Sequence, residues 1–561
     1  MRSNNSKSRL TRSGLAASVL LLAGGAASAQ QQINLTAGPT SLTLPDGSVV
    51  PMWGYSCDAT QVAGSTATCA KLNPNAPAAT TTTPAGWSPV VITVPTGQDL
   101  TINLTNNLSF TPVGGTANTV PTSLVIVGQL GGGLGTTANA VPGPDHTNAQ
   151  PLTWPIAGDP PGQPLSGVGT PPPQGPRVQS FSTEVAAVAA GTGTATPLCW
   201  GVCGVGRPAL KPGTYLIESG THPSIQGPMG LYGVVVVTCA PGSAAATCAT
   251  PGTAYPAVGT VAAVTYNAEI PLLLSEIDPV QNTAVNAAVN TSGFNETNVW
   301  SGLPGGCGNP SSGAGVYQTC YPPAVNYTPL YYLFNGVAFD KTHASASLFP
   351  TTPATGAAGS VLLVRFVNAG LRMHVPSIVG SQTGVAVAPA TTPPSGFSLI
   401  AEDGNRLPGL PRVQSEVFLP AGKTYDVTVN VPAAGGSALA VFDRQLSLSG
   451  NATGRDGGMV AYVGINGAGV PASPAIAAAV ARPDTYNSLL AGQTFTVSDP
   501  ASGVIKNDTN VYGVRLLTAP TAGTLTLNVN GTFTYVPTGT GTSDSFVYCA
   551  NGSVTTTGTT T

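Results

Sequence analysis

Two strand-like runs, GTYLIES (213–219) and GLYGVVVVT (230–238), lie on either side of a short turn segment, and the second carries four consecutive valines. Another apolar run, VLLVRFVNAG, follows at 361–370. Runs of this kind supply the central strands of sandwich cores. Each buried Val, Leu or Ile is worth about 1.5–3 kcal/mol before entropy is counted. Around them, VVITVPTGQDLTINLTNNL (Val90 to Leu108) alternates apolar and polar residues, the pattern of half-buried strands, and PTSLVIVGQ (Pro121 to Gln129) reads as a further strand. With 70 Gly and 52 Pro in 561 residues, the strands must be short and the turns many, so the chain is expected to be all-β. Hydrophobic content of 42% and the recurring alternation exclude disorder throughout.

The first 29 residues have the form of a secretory signal. Arg2, Lys7, Arg9 and Arg12 make a basic start, Gly14 to Ala26 is apolar but too short to span a bilayer, and Ala27-Ser28-Ala29 is a small-residue cleavage site. Cleavage removes four of the 19 Lys and Arg, leaving 15 against 22 acids, a net charge of about −7. No clustered basic patch is left for phosphate, which excludes nucleic acid as a partner. The expected location is secreted, periplasmic or at the cell surface, with no transmembrane segment. Nine cysteines in an exported chain point to disulfides, and eight fall into close pairs: Cys57 with Cys69, Cys199 with Cys203, Cys239 with Cys248, and Cys307 with Cys320. Cys549 is left over.

Three units follow the signal. Residues 30–255 form a first β domain, interrupted by a Gly/Pro-rich excursion from about Gly131 to Pro176 that is expected to be a surface loop. Residues 256–474 form a second, with strand signals in YNAEIPLLLSEIDP (266–279), YYLFNGVAF (331–339), FSLIAEDG (397–404) and LPAGKTYDVTVNV (419–431). An Ala/Pro linker, Ala475 to Asp484, leads to a third unit, 475–561, with an Asn-Gly hairpin at 530–531. Its final VTTTGTTT stands where another strand is expected, so this unit is read as truncated and the chain as the front part of a longer protein.

From Asn34 to Arg444 the chain resembles the cupredoxin domains of multicopper oxidases. The resemblance rests on TINLTNNL, PTSLVIVGQ and the GTY…GLYG segment in the first domain. In the second it rests on LFNGVAF, RFVNAG (365–370), AEDG (401–404) and PAGKTYDV (420–427). The third unit resembles bacterial cadherin-like or immunoglobulin-like repeats, through Asn507-Asp508, Gly523-Thr524-Leu525, Asn530 to Tyr535 and Asp544-Ser545-Phe546. The fold implied is two cupredoxin-like Greek-key sandwiches followed by an Ig-like or cadherin-like sandwich. An exported oxidase frame with SEIDP after the first domain and repeats at the end is similar to large bacterial manganese-oxidising multicopper oxidases.

The resemblance implies copper, and the residues withhold its ligands. Type 1 copper takes two His, a Cys thiolate and a weak axial Met, since cycling between its oxidation states favours soft sulfur with imidazole. The oxygen-reducing cluster of the family takes eight His in H-x-H pairs, whereas this chain has four histidines: His146, His222, His343 and His374. The first H-x-H position falls on Val125 and Val127 and the second on Glu218 and Gly220. His222, with Glu218 four residues before it and Met229 nearby, is the candidate for a weak Mn(II) or Cu(II) contact, against a turn histidine that caps backbone. Cys199-x-x-x-Cys203 is read as a structural disulfide before a copper carrier, His374 as a satisfied structural histidine, and the Glu402-Asp403 carboxylates as backbone acceptors. No catalytic residue is identified. Two functions remain open. One is the N-terminal part of an exported multicopper-oxidase-like protein, taking electrons from Mn(II) or a phenol-like donor and passing them to O2, its copper ligands largely in missing C-terminal domains. The other is a non-enzymatic secreted surface, matrix or adhesion protein built on degenerate cupredoxin domains.

Overall fold

The computed structural model describes residues 31–551 except 46, 60–61, 79–84, 134–139, 142–176, 179, 189–193, 203–208, 243–247, 249–251, 295–326, 354–356, 433–437, 445–457, 472–478, 488–491, 512 and 539–540. The signal segment, most of the Gly/Pro-rich excursion, His146, Cys203, Cys307 and Cys320 lie outside the described residues. The architecture is all-β.

The alternating run at 90–108 folds as two strands, Val90–Pro95 and Leu100–Asn106, separated by a turn at Gly97, whose φ of 80° favours glycine. They go to different sheets. Leu100–Asn106 lies between Thr196–Trp200 and Gln31–Thr43, with Val49–Cys57 at the edge, while Val90–Pro95 joins Thr68–Lys71, Tyr232–Thr238, Gly213–Glu218 and Val125–Ile126. Ile33, Leu35, Ile102 and Leu104 from the first sheet and Ile92, Val94, Val235 and Val237 from the second share one core. Each sheet contains one parallel pair among antiparallel ones. The PTSLVIVGQ segment is strand only at Val125–Ile126. The chain turns immediately afterwards, where Gly128 takes φ 86°.

The second sandwich sets an eight-stranded sheet, centred on Ala268–Ile277, Val361–Asn368, Thr424–Asn430 and Phe397–Glu402, against a four-stranded sheet that includes Leu439–Asp443 and Val460–Gly464. All seven residues of Tyr232–Thr238 are buried, because the strand has a sandwich on each side. Tyr232, Val234 and Val236 pack with Leu273, Leu333 and Val367 of the second unit, whereas Val235 and Val237 point into the first core. Such double burial is what permits an unbroken valine run.

Helices also occur among the strands, and the longest among the described residues positions part of the first core. Pro279–Val289 is an α-helix, capped by the Asp278 carboxylate, which accepts from the Val280 and Gln281 amides, and opened by Pro279 in its first turn. Its Val285 and Val289 join the core of the first sandwich. Asn282 Nδ2 donates to the Pro51 carbonyl at 3.0 Å, and Asn118 Nδ2 donates to the Val289 carbonyl at 2.8 Å.

The third unit has a three-stranded sheet, ordered Phe495–Val497, Phe533–Pro537, Gly523–Leu527, and the pair Val514–Thr518 with Val547–Ala550. Asn528 and Thr532 close its hairpin around Asn530-Gly531, with Gly531 at φ 82°. Residues 503–510 form turns and bends, with an isolated bridge from Thr509 to Val480. Its small core is Val497, Val504, Val514 and Phe533.

Candidate functional site

Gly213–Glu218 pairs with Val125–Ile126 in a register that sets Glu218 directly opposite Val125 and Ile217 opposite Ile126. The two segments on which the H-x-H positions fall are therefore neighbours at one end of one sheet. Val127 continues the contact, its amide donating to the Leu216 carbonyl at 2.9 Å. Valine offers no donor atom to a metal. At Gly220 there is no room for a side chain, since a Cβ would lie 2.7 Å from Val125 Cγ2 and 3.1 Å from Ser123 Oγ. The residues present at this strand end do not fit a copper ion.

Hydroxyls and one carboxamide fill the interior beside it. Gln226 Oε1 accepts from Thr122 Oγ1 at 2.8 Å and Ser219 Oγ at 2.6 Å, and its Nε2 donates to the Pro121 carbonyl at 2.8 Å. Next to this group, Ser180 Oγ donates to Ser123 Oγ at 2.9 Å. Thr221 Oγ1 lies 3.0 Å from Ser123, 3.1 Å from Ser180 and 3.3 Å from Glu184 Oε1. Tyr55 Oη donates to the Ser123 carbonyl at 2.9 Å. Thr122, Ser123, Ser219, Thr221 and Gln226 are fully buried, and polar groups there are tolerated because they bond to one another.

Glu218 ends its strand half-buried, and burial holds its carboxyl above the usual carboxylate range. His222 starts the four-residue helix Pro223–Gln226 with φ 40° and ψ 60°, the left-handed region that costs a non-glycine residue about 1–3 kcal/mol. Its side chain makes no cap bond to that helix; its carbonyl accepts from the Ile225 and Gln226 amides instead. Burial pushes the His222 imidazole down to about 4, so it is neutral at pH 7. Among the described residues, no group of three or more His, Cys, Asp or Glu is arranged to hold a metal ion.

His374 is fully buried between two carboxylates, with Nδ1 2.9 Å from Asp443 Oδ2 and Nε2 3.1 Å from Glu276 Oε2. Asp443 also accepts from the Val375 amide, and Glu276 from those of Leu371 and Arg372. Burial alone would lower this imidazole; the bonds to Asp443 and Glu276, and their charge, push it up to about 9. His343 is an exposed partner of Asp340 at 2.9 Å. Asp403 accepts from the Thr424 amide as expected of a backbone acceptor, but Lys423 Nζ also bonds both Glu402 and Asp403, an ion pair that sequence reading missed.

A second buried polar centre joins the two sandwiches. Arg365 is fully buried, its Nε donating to Glu269 Oε2 at 2.6 Å and its Nη1 to Asp426 Oδ2 at 3.2 Å. From the first sandwich, Thr214 Oγ1 and Thr238 Oγ1 accept from Arg365 at 2.9 and 3.2 Å. Thr214 Oγ1 in turn donates to Asp426 Oδ1 at 2.6 Å, and Tyr255 Oη to Asp426 Oδ2 at 2.5 Å. Burial opposes the guanidinium charge, and Glu269 and Asp426 more than offset it. Disulfides join Cys57 to Cys69 and Cys239 to Cys248; Cys199 is also disulfide-bonded.

Solved structures similar to this chain include a blue copper oxidase from Nitrosomonas europaea, at 15% identity over 78% of this chain and 86% of that one, with a TM-score of 0.37. A multicopper oxidase from Pseudomonas thermotolerans matches at 15% identity over 82% and 70%, with a TM-score of 0.36. Fet3p, a multicopper oxidase that functions in iron import, matches at 12% over 91% and 64%, with a TM-score of 0.40. No protein-family profile and no curated protein matches the chain.

Proposed function

We propose that this chain is the structural, copper-poor part of an exported multicopper-oxidase-like protein. That protein takes electrons from a reduced metal ion such as Mn(II), or from a phenol-like donor, and passes them to O2. The carrying observation is the register that sets Val125 opposite Glu218. It brings together, at one strand end, the two segments that the sequence resemblance identifies as ligand segments. The four histidines of the chain are too few for the copper chemistry of such a protein, so the remaining ligands come from other residues, in further domains or a partner chain. This part carries the frame: two sandwiches fused through the Arg365 centre. A signal-like start and the bonded cysteines support export. Among the described residues no helix is long and apolar enough to cross a membrane. The third unit fits a repeat of the immunoglobulin or cadherin type.

The test isolates the protein twice: as the mature chain, residues 30–561, and under native conditions from its own host with whatever remains attached. We expect well under one copper per molecule and no blue absorption band in the first preparation. In the second, we expect copper together with O2 uptake on addition of Mn(II) or a phenol. A stoichiometric blue copper on the isolated chain would overturn the ligand assignment. A native preparation that contains no copper and consumes no O2 would favour the adhesion or matrix reading. Metal analysis of the isolated chain with added Mn(II) also tests the contact at Glu218 and His222.

A further inference from the structure

We infer that the Gln226-centred hydroxyl cluster has taken over the tying role that metal coordination has at such a strand end, so that the first sandwich holds together without any metal. The inference rests on the oxidase-frame reading for its comparison with copper, and on this chain alone for its mechanism. The positions that the resemblance gives to metal ligands are Val125 and Val127 on one segment and Glu218 and Gly220 on the other. Here the Gln226 side chain bonds beside both segments: to Ser219 just after Gly213–Glu218, and to Thr122 and the Pro121 carbonyl just before Val125–Ile126. Its backbone amide is anchored to the His222 carbonyl at 2.9 Å, and its carbonyl accepts from the Leu231 amide at 3.1 Å, just before the valine strand. One side chain thus links the segments on both sides of the pair.

Chemistry makes the exchange one-way. Where imidazoles would converge, Val125 Cγ2 occupies the volume beside Gly220, and Ser123 Oγ closes it from the other side. The oxygens of Thr122, Ser219 and Gln226 are neutral, hard and already hydrogen-bonded, which is a poor match to copper. Burial of all three is complete, so breaking the cluster leaves polar atoms that water does not reach.

The test is thermal melting of the full mature chain by calorimetry. Wild type should give the same Tm with EDTA, with added Cu(II) and with neither. Gln226→Leu keeps the approximate volume but removes the acceptor shared by two hydroxyls and the donor to a carbonyl. Loss of these bonds predicts a Tm lower by roughly 6–12 °C. Glu218→His combined with Gly220→His should melt lower than wild type and retain no copper through gel filtration. Gly220→Ala, a milder change, should also melt lower. The inference is overturned if Gln226→Leu melts as wild type, if Cu(II) raises the wild-type Tm by several degrees, or if the double histidine variant retains stoichiometric copper. Failure of the oxidase reading would instead appear in the native preparation's O2 uptake, and would leave the Gln226→Leu result untouched.

Discussion

Replacing Arg365 with methionine removes the guanidinium that bonds Glu269, Asp426, Thr214 and Thr238 while roughly keeping its volume. Glu269 and Asp426 have side chains only 10% and 1% exposed, and both lose their counter-charge at once. Breaking a buried pair from one side costs about 3–5 kcal/mol, because the remaining charge is stranded. Two stranded carboxylates place Arg365→Met at the upper end, about 4–5 kcal/mol at pH 7. For units of this size each kcal/mol moves Tm by about 2–4 °C, so a fall of roughly 8–20 °C is expected by calorimetry. A variant that melts within a degree or two of wild type would refute the reasoning.

His374 gives a pH signature. Its folded value of about 9 lies above the ordinary 6.5, so its contribution is fully present below about pH 6.5 and disappears as pH rises through 9. Two to three pKa units correspond to about 3 kcal/mol, so wild-type Tm should decline between pH 7 and 10, whereas His374→Gln should be less stable at pH 7 and flatter over that range. Val364 is fully buried at the centre of Val361–Asn368, and Val364→Asp should unfold the second sandwich, seen as loss of its cooperative transition. Wild-type melting of that variant would show the strand to be misplaced.

The strands were legible because alternation and β-branched runs mark them locally. The Asn530-Gly531 hairpin was legible because its backbone demands glycine. The bonds Cys57–Cys69 and Cys239–Cys248 join nearest neighbours in sequence, as counting suggested. The helix Pro279–Val289 was missed although Asp278-Pro279 is a helix-start signal, because the apolar strand just before it dominates the pattern. Nothing local announced Gln226. Ser and Thr are abundant throughout, so Thr122, Ser180 and Ser219 carry no signal until the fold gathers them.

By itself, the order of residues determined the class of structure, the places where backbone must turn, and a count of four histidines, fewer than the eight that the resemblance implies for the copper cluster. Those are local or countable properties. Tertiary structure alone decided that Arg365 meets Thr214, 151 residues away, and that Val125 closes the space beside Gly220. Buried charge and polar satisfaction depend on which groups converge after the entropy of a long chain has been overcome, and sequence spacing does not encode that convergence.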